Sequence, residues 1–496
     1  MIMPHEAAAD RSQIAGTAKP RRGSPLHRTN RVSRALVPKD QVRLVYYVQV
    51  PEQLNILVLA YVYPPDAGSG TYRTLYFSNY WAEAGDNVTV VTVKESHFHP
   101  GALVDPALVR KVDPSIKVVR ASAMRPLERL LGIRDRLRRR VRHRPTPPPL
   151  RVDTAPAIGS RKGFLTRAKD ALTSLLTFPD AHVGWIPGAV RAGLRLARIR
   201  RIDCLYASGG PWSGVVAATI LHRMSGLPLV LDFRDPWANS PNLIEASGLA
   251  RAAHSLLEAF CVKRASRIIT NTSELRNDFL VRYPLLGPDR FVCITNGFEE
   301  PPQAVSEDSG RFTLVHAGEL YLSRNPANFL RAVEQLIQEG SIARQQLRVR
   351  FVGGIATRDG ELASLLDALG EVVEITPRLP YAEALRIQQG ASALLLFQTG
   401  LPLQIPRKLY EYLSLRRPIL AITESGSATA RVLQDLGSHC ICDDEVAAIK
   451  SALGELYRRW QIDETFVVDE ATLDAYSNRQ LAAKLRQELQ LAATAS

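Results

Sequence analysis

The sequence predicts an α/β chain of two consecutive units, each a parallel sheet with helices on both faces. Short continuous apolar runs recur along it, helical patterns alternate with them, and a break at Glu299-Glu300-Pro301-Pro302 divides the series in two. A strand that is apolar throughout is buried on both faces, and a helix-covered parallel sheet provides that environment. At 496 residues the chain exceeds one ordinary domain and has room for roughly two to four.

Taken in order, residues 1–52 are rich in Arg, Ser, Ala and Pro without periodicity and read as a disordered basic tail. Ile56 to Ala60 is the first buried strand, and it runs into the turn-forming loop Tyr63 to Gly70. A helix follows with Tyr72, Leu75, Tyr76 and Tyr80 on one face and Gly85 as its stop, then a strand at Val88–Val93. Further strands are expected at Ile202–Ala207, Leu229–Phe233, Arg267–Thr270 and Val292–Thr295, closing a first unit over 53–300. Residues 122–175 interrupt that unit with a basic, proline-containing insertion. A second unit, 308–470, shows strands at Phe312–His316, Leu347–Val352, Val372–Ile375, Ala393–Phe397, Ile419–Ile422 and His439–Cys442. Residues 471–496 form a last helix, long enough to cross back to the first unit.

A hydrophobic fraction of 46% and a charged fraction of 23% exclude a disordered or fibrous chain. The net charge of +14 favours anionic partners without choosing among phosphorylated substrates, nucleic acid and an acidic membrane. Seven arginines fall between Arg134 and Arg144, without interleaved aromatic residues, which argues against single-stranded nucleic acid. The segment Gly163 to Leu172 sets apolar residues opposite basic ones, as an anionic bilayer surface or an ordinary docking helix would each require. Five scattered cysteines, Cys204, Cys261, Cys293, Cys440 and Cys442, suit reduced thiols in a cytoplasmic protein. No secretory signal and no run of about 20 apolar residues is seen, so any membrane contact is expected to be peripheral.

Three segments carry chemistry. Gly68-Ser69-Gly70 joins a buried strand to a helix, where backbone amides attract phosphate; a ligand-free tight turn explains it equally well. The third glycine of a dinucleotide fingerprint is missing, because that position is Arg73. Asp232-Phe233-Arg234-Asp235-Pro236-Trp237 follows a strand directly, at the sheet edge where open α/β folds bind ligands. A structural Arg–Asp pair is the alternative there. Gln404 to Tyr412 opens a helix near Pro406, with Lys408 and Glu411 read on one face: a cation for diphosphate and a carboxylate for ribose hydroxyls, or simply a surface ion pair.

Together with Pro64-Pro65, Gly209-Gly210-Pro211, Thr295-Asn296-Gly297, His316-Ala317-Gly318 and Ile405 to Leu413, these segments resemble, in order, the retaining glycosyltransferases of family 4. The resemblance extends over about Asn55 to Ala492 and is weakest at 122–175. It is closest to the subgroup that builds bacterial surface polysaccharides.

The resemblance implies a GT-B fold: two Rossmann-like domains facing each other across a cleft, with a C-terminal helix returning to the first. It implies a nucleotide-sugar donor, a glycan or lipid-linked acceptor, and no metal or other cofactor. Gly68, Gly70, Arg324, Gly353, Arg378, Arg407 and Glu411 are implied as donor-binding, and Arg234, Asp235 and Lys408 as catalytic. Three positions depart from the pattern: Leu403 replaces the first glutamate, Glu319 an arginine, and Arg234 a histidine. Gln404, Asp235 and Lys408 are the candidates to orient the sugar instead. A nucleotide-sugar epimerase on the same architecture, and an inactive membrane-associated binding protein, are the competing readings.

Overall fold

The computed structural model describes residues 53–99, 101–124, 177–240, 243, 247–302, 310–320, 324–356, 360–437 and 439–495. The tail at 1–52 and nearly all of the 122–175 insertion, including its arginine run, lie outside them. Two fully parallel sheets form.

The first sheet holds β1 (Asn55–Leu59), β2 (Asn87–Val93), β3 (Lys117–Ala121), β4 (Cys204–Ser208), β5 (Leu229–Phe233), β6 (Arg267–Thr270) and β7 (Phe291–Cys293). Its spatial order is β3-β2-β1-β4-β5-β6-β7. Helices α1 (Ser69–Glu83), α2 (Ile186–Ile199), α3 (Trp212–Ser225), α4 (Gly248–Val262) and α5 (Ser273–Arg282) accompany it. The strand β3 was not expected. Its Lys-Val-Val-Arg-Ala sequence lies at the sheet edge, half-exposed, and lacks the apolar run that betrays a central strand.

The second sheet is β10-β9-β8-β11-β12-β13, from β8 (Phe312–Ala317), β9 (Leu347–Val352), β10 (Val373–Thr376), β11 (Ala393–Phe397), β12 (Ile419–Ile422) and β13 (Cys440–Cys442). Its helices are α6 (Ala327–Gln338), α7 (Gly360–Leu369), α8 (Tyr381–Gln389), α9 (Arg407–Ser414), α10 (Ala428–Leu436) and α11 (Val446–Gln461). Two more, α12 (Glu470–Asp474) and α13 (Asn478–Thr494), follow.

Strand alternation distributes the core. In β1, Ile56 and Val58 enter one apolar layer while Leu57 and Leu59 enter the layer on the opposite face. The second sheet is coated in the same way. Helix α13 supplies Leu481, Leu485 and Leu489 to the first sheet's core, where Trp81 of α1 donates its indole N–H to the Ala482 carbonyl at 3.0 Å. A helix after the second sheet therefore closes the first.

Helix α1 divides the aromatic face read from its sequence. Leu75 is buried with Phe77 and Trp81, but Tyr72 and Tyr76 turn toward the gap between the sheets and Tyr80 bonds Glu299 at 2.8 Å. Their hydroxyls suit a polar cleft.

Candidate active site

In both sheets the strand order reverses about the first strand, between β1 and β4 and between β8 and β11. The loops leaving the carboxyl ends of these strands diverge there and leave a crevice. Nearly every residue singled out from the sequence falls beside one of these two points.

At the first point, Asp66 accepts hydrogen bonds from the Gly68 amide at 2.8 Å and the Thr71 hydroxyl at 3.2 Å, tying the loop after β1 to the first turn of α1. The Gly68 amide expected to face phosphate is therefore engaged by a carboxylate. Gly70 has a steric reason: a Cβ there would stand 2.6 Å from Arg234 Nη1. Arg234, at the end of β5, donates Nε–H to the Gly209 carbonyl at 2.7 Å and Nη2 to that of Gly210. Burial draws its pKa down, against the pull of Asp235 and Asp232. Asp235 reaches solvent, yet the chain crowded around it raises its pKa while Arg234 opposes.

Beneath these groups lies an ion pair that sequence reasoning did not single out. Arg73 is 4% exposed and grips Asp232 with two bonds of 2.7 and 3.1 Å, and it also donates to the Ile294 carbonyl at 2.8 Å. Tyr206 donates its hydroxyl to the same carboxylate at 2.5 Å. Arg73 occupies the position of the absent third glycine, and it fastens α1 to β4, β5 and the segment after β7. An arginine among the apolar residues of a helix was the available signal. Asp232 and Arg73 form the structural pair, and Arg234 lies above it with its guanidinium toward the gap.

At the second point the chemistry is cationic. His316, at the end of β8, is fully buried; its Nδ1 contacts the Leu395 carbonyl at 3.0 Å and so carries the proton. Its Nε2 lone pair is left to face Lys408 Nζ at 3.0 Å. Gly318, with φ of 115°, makes room, since a Cβ there would meet Nζ at 2.6 Å. Gly353, at φ of 127°, would strike the Gly318 backbone at 2.7 Å if it bore a side chain. Its role is thus to pack the ends of β8 and β9 together. Arg324 donates to Gln398 Oε1 at 3.0 Å and stands near enough to repel Lys408. Burial, then Arg324, lower the Lys408 pKa to about 7, with Glu411 opposing. His316 is held well below its ordinary value by burial, Lys408 and Arg324.

The shared face expected for Lys408 and Glu411 is corrected by the structure. Glu411 pairs with Arg407 one turn earlier, while Lys408 turns the other way, into the ends of β8 and β11. Arg407 crosses the gap, with its guanidinium 3.7 Å from the ring centroid of Tyr72 on α1. A cavity of about 150 Å³ between the sheets is lined by Tyr72, Tyr76, Asn296, Tyr381, Arg407 and Glu411, among others. Lys408 and Arg324 border the crevice without lining that cavity, and Arg378 is exposed outside it. Among the described residues no cluster of three His, Cys, Asp or Glu could hold a metal ion.

Comparison with known proteins agrees with this architecture. Residues 68–297 match the family described as Glycosyl transferase 4-like domain. Among solved structures, HepE from Anabaena in complex with UDP aligns at a TM-score of 0.55 and 12% identity, covering 89% of this chain and all of its own. Sucrose-phosphate synthase from Thermosynechococcus elongatus aligns at 0.55 and 13%, over 90% of this chain and 100% of its own. The α,α-trehalose 6-phosphate synthase from Burkholderia multivorans aligns at 0.56 and 12%, over 90% and 98%. At such identities the likeness is one of fold. No curated protein matches the sequence. Residues 68–297 thus carry a glycosyl transferase 4-like domain, and a second parallel sheet completes the two-domain GT-B fold around the crevice.

Proposed function

We propose that this chain transfers a hexosyl group from a nucleoside-diphosphate sugar to a glycan or lipid-linked acceptor, with retention and without a metal ion. The observation that carries this reading is Lys408. A half-buried amine held by His316 beside Gly318, with Arg324 next to it, is a built cation site at a topological switch point. The leaving diphosphate gains negative charge as the anomeric C–O bond breaks, and Lys408, Arg324 and the amides opening α9 stabilise it. The acceptor hydroxyl attacks C1 on the face the diphosphate leaves, and its proton passes to the departing phosphate oxygen. Glu411 accepts from the ribose hydroxyls, and Arg234 and Asp235 hold the acceptor. The Arg407–Tyr72 contact draws the two sheets together and excludes water from the reacting sugar.

UDP-sugars are the first donors to test, since HepE has been solved with UDP and glucose and with UDP-glucose. Incubation with a panel of nucleotide sugars is expected to show slow donor hydrolysis for one of them. Replacing Glu411 with alanine should raise the KM for that donor roughly 10-fold or more and leave the fold intact, as loss of a charge-assisted hydrogen bond predicts. An unaltered KM removes Glu411 from the donor site. Conversion of the donor to its epimer without acceptor would replace transfer with isomerisation.

A further inference from the structure

Helix α2 presents a surface that donor chemistry does not explain. Residues 186–201 carry five arginines and no acid. Arg191, Arg195 and Arg198, spaced four and three apart, share one exposed face. None of the three makes an ion pair among the described residues. They flank an open groove of about 720 Å³ whose apolar walls are Ile186, Leu194 and Ile199 of α2 and Ile220 of α3. Ile199 is 64% exposed, and Met224 at the end of α3 is 61% exposed. What sets these two side chains apart is their place beside the groove and its arginines, where apolar and cationic groups share one exposed surface. A nucleic acid would engage the arginines but find nothing for the isoleucines.

Apolar residues bordered by unpaired arginines match a bilayer boundary, where acyl chains meet anionic headgroups. We propose that the α2 face, with the adjoining end of α3, docks this protein on an anionic lipid bilayer. The inference stands apart from the donor assignment, because the surface lies outside the crevice and uses none of its residues.

The test is flotation of the full chain with vesicles of phosphatidylcholine alone and of phosphatidylcholine with phosphatidylglycerol. Binding is expected only to the anionic vesicles and is expected to weaken with salt. The triple variant R191E/R195E/R198E should lower partitioning at least about 100-fold, from roughly fivefold per basic residue near such a surface. R191K/R195K/R198K should retain it, and Ile199→Asp, at a solvent-exposed position, should reduce it. The far-UV circular dichroism and thermal unfolding midpoint of every variant should match those of the parent protein, which reports folding separately from docking. Equal binding to both vesicle types, or full binding by the charge-reversed variant, overturns the proposal. So does arginine-dependent binding to duplex DNA with none to vesicles.

Discussion

Replacing Lys408 with methionine is expected to lower kcat by roughly 10²–10³-fold, the loss seen when one group aimed at developing negative charge is removed. The same change should stabilise the free protein at low pH. The folded state holds Lys408 at about pH 7, against 10.5 ordinarily, so the unfolded chain binds more protons throughout that window. Stability from this group therefore rises with pH between about 7 and 10.5, and its burden is complete below pH 7. Thermal unfolding of Lys408→Met should show a higher midpoint than the parent at pH 6, with the difference fading by pH 10. Nucleotide binding follows the opposite course. A diphosphate favours the charged amine, so UDP binding should take up a proton and weaken as pH rises above 7, measured by calorimetry in buffers of different ionisation heat. Arginine at 408 keeps its charge and should remove that dependence. A UDP affinity indifferent to pH and to Lys408→Met would place the diphosphate elsewhere.

The Arg73–Asp232 pair should govern folding as strongly as Lys408 governs turnover. Both side chains are essentially sealed, at 3% and 0% exposure, and Tyr206 adds a third bond to the carboxylate. Asp232→Ala leaves a buried guanidinium without its counter-charge, a change that costs about 3–5 kcal/mol. Total stabilities are only about 5–15 kcal/mol, so poor expression or a much lower urea midpoint is the expected result. Removing both charges together, as R73M/D232L, should recover much of the loss, because the uncompensated ion is then gone. A single variant as stable as the parent would show that water reaches Arg73, contrary to its burial.

Much of the fold was legible in the residues. Ala393–Phe397 and Ile419–Ile422 appear as strands with the bounds their apolar runs indicate, because a strand sealed on both faces leaves an unbroken signature. Edge strand β3 left no such signature. Helix α9 was legible too, since Pro406 stands where a helix begins. The direction in which Lys408 points was not. Residues three apart are neighbours on an isolated helix, but the pocket formed by Gly318 and His316 draws the lysine inward while Glu411 turns to Arg407.

The sequence by itself determined two helix-covered parallel sheets, a break between them, and glycine- and charge-bearing segments at strand ends. These are local properties, decided by periodicity and by what each residue does to its own backbone. Only the tertiary structure decided which charges meet. Arg73 and Asp232 are 159 residues apart, and Lys408 and His316 are 92 apart. Whether such a pair becomes a buried strut or an available cation depends on how closely the surrounding chain shuts out water, which no short stretch of sequence encodes.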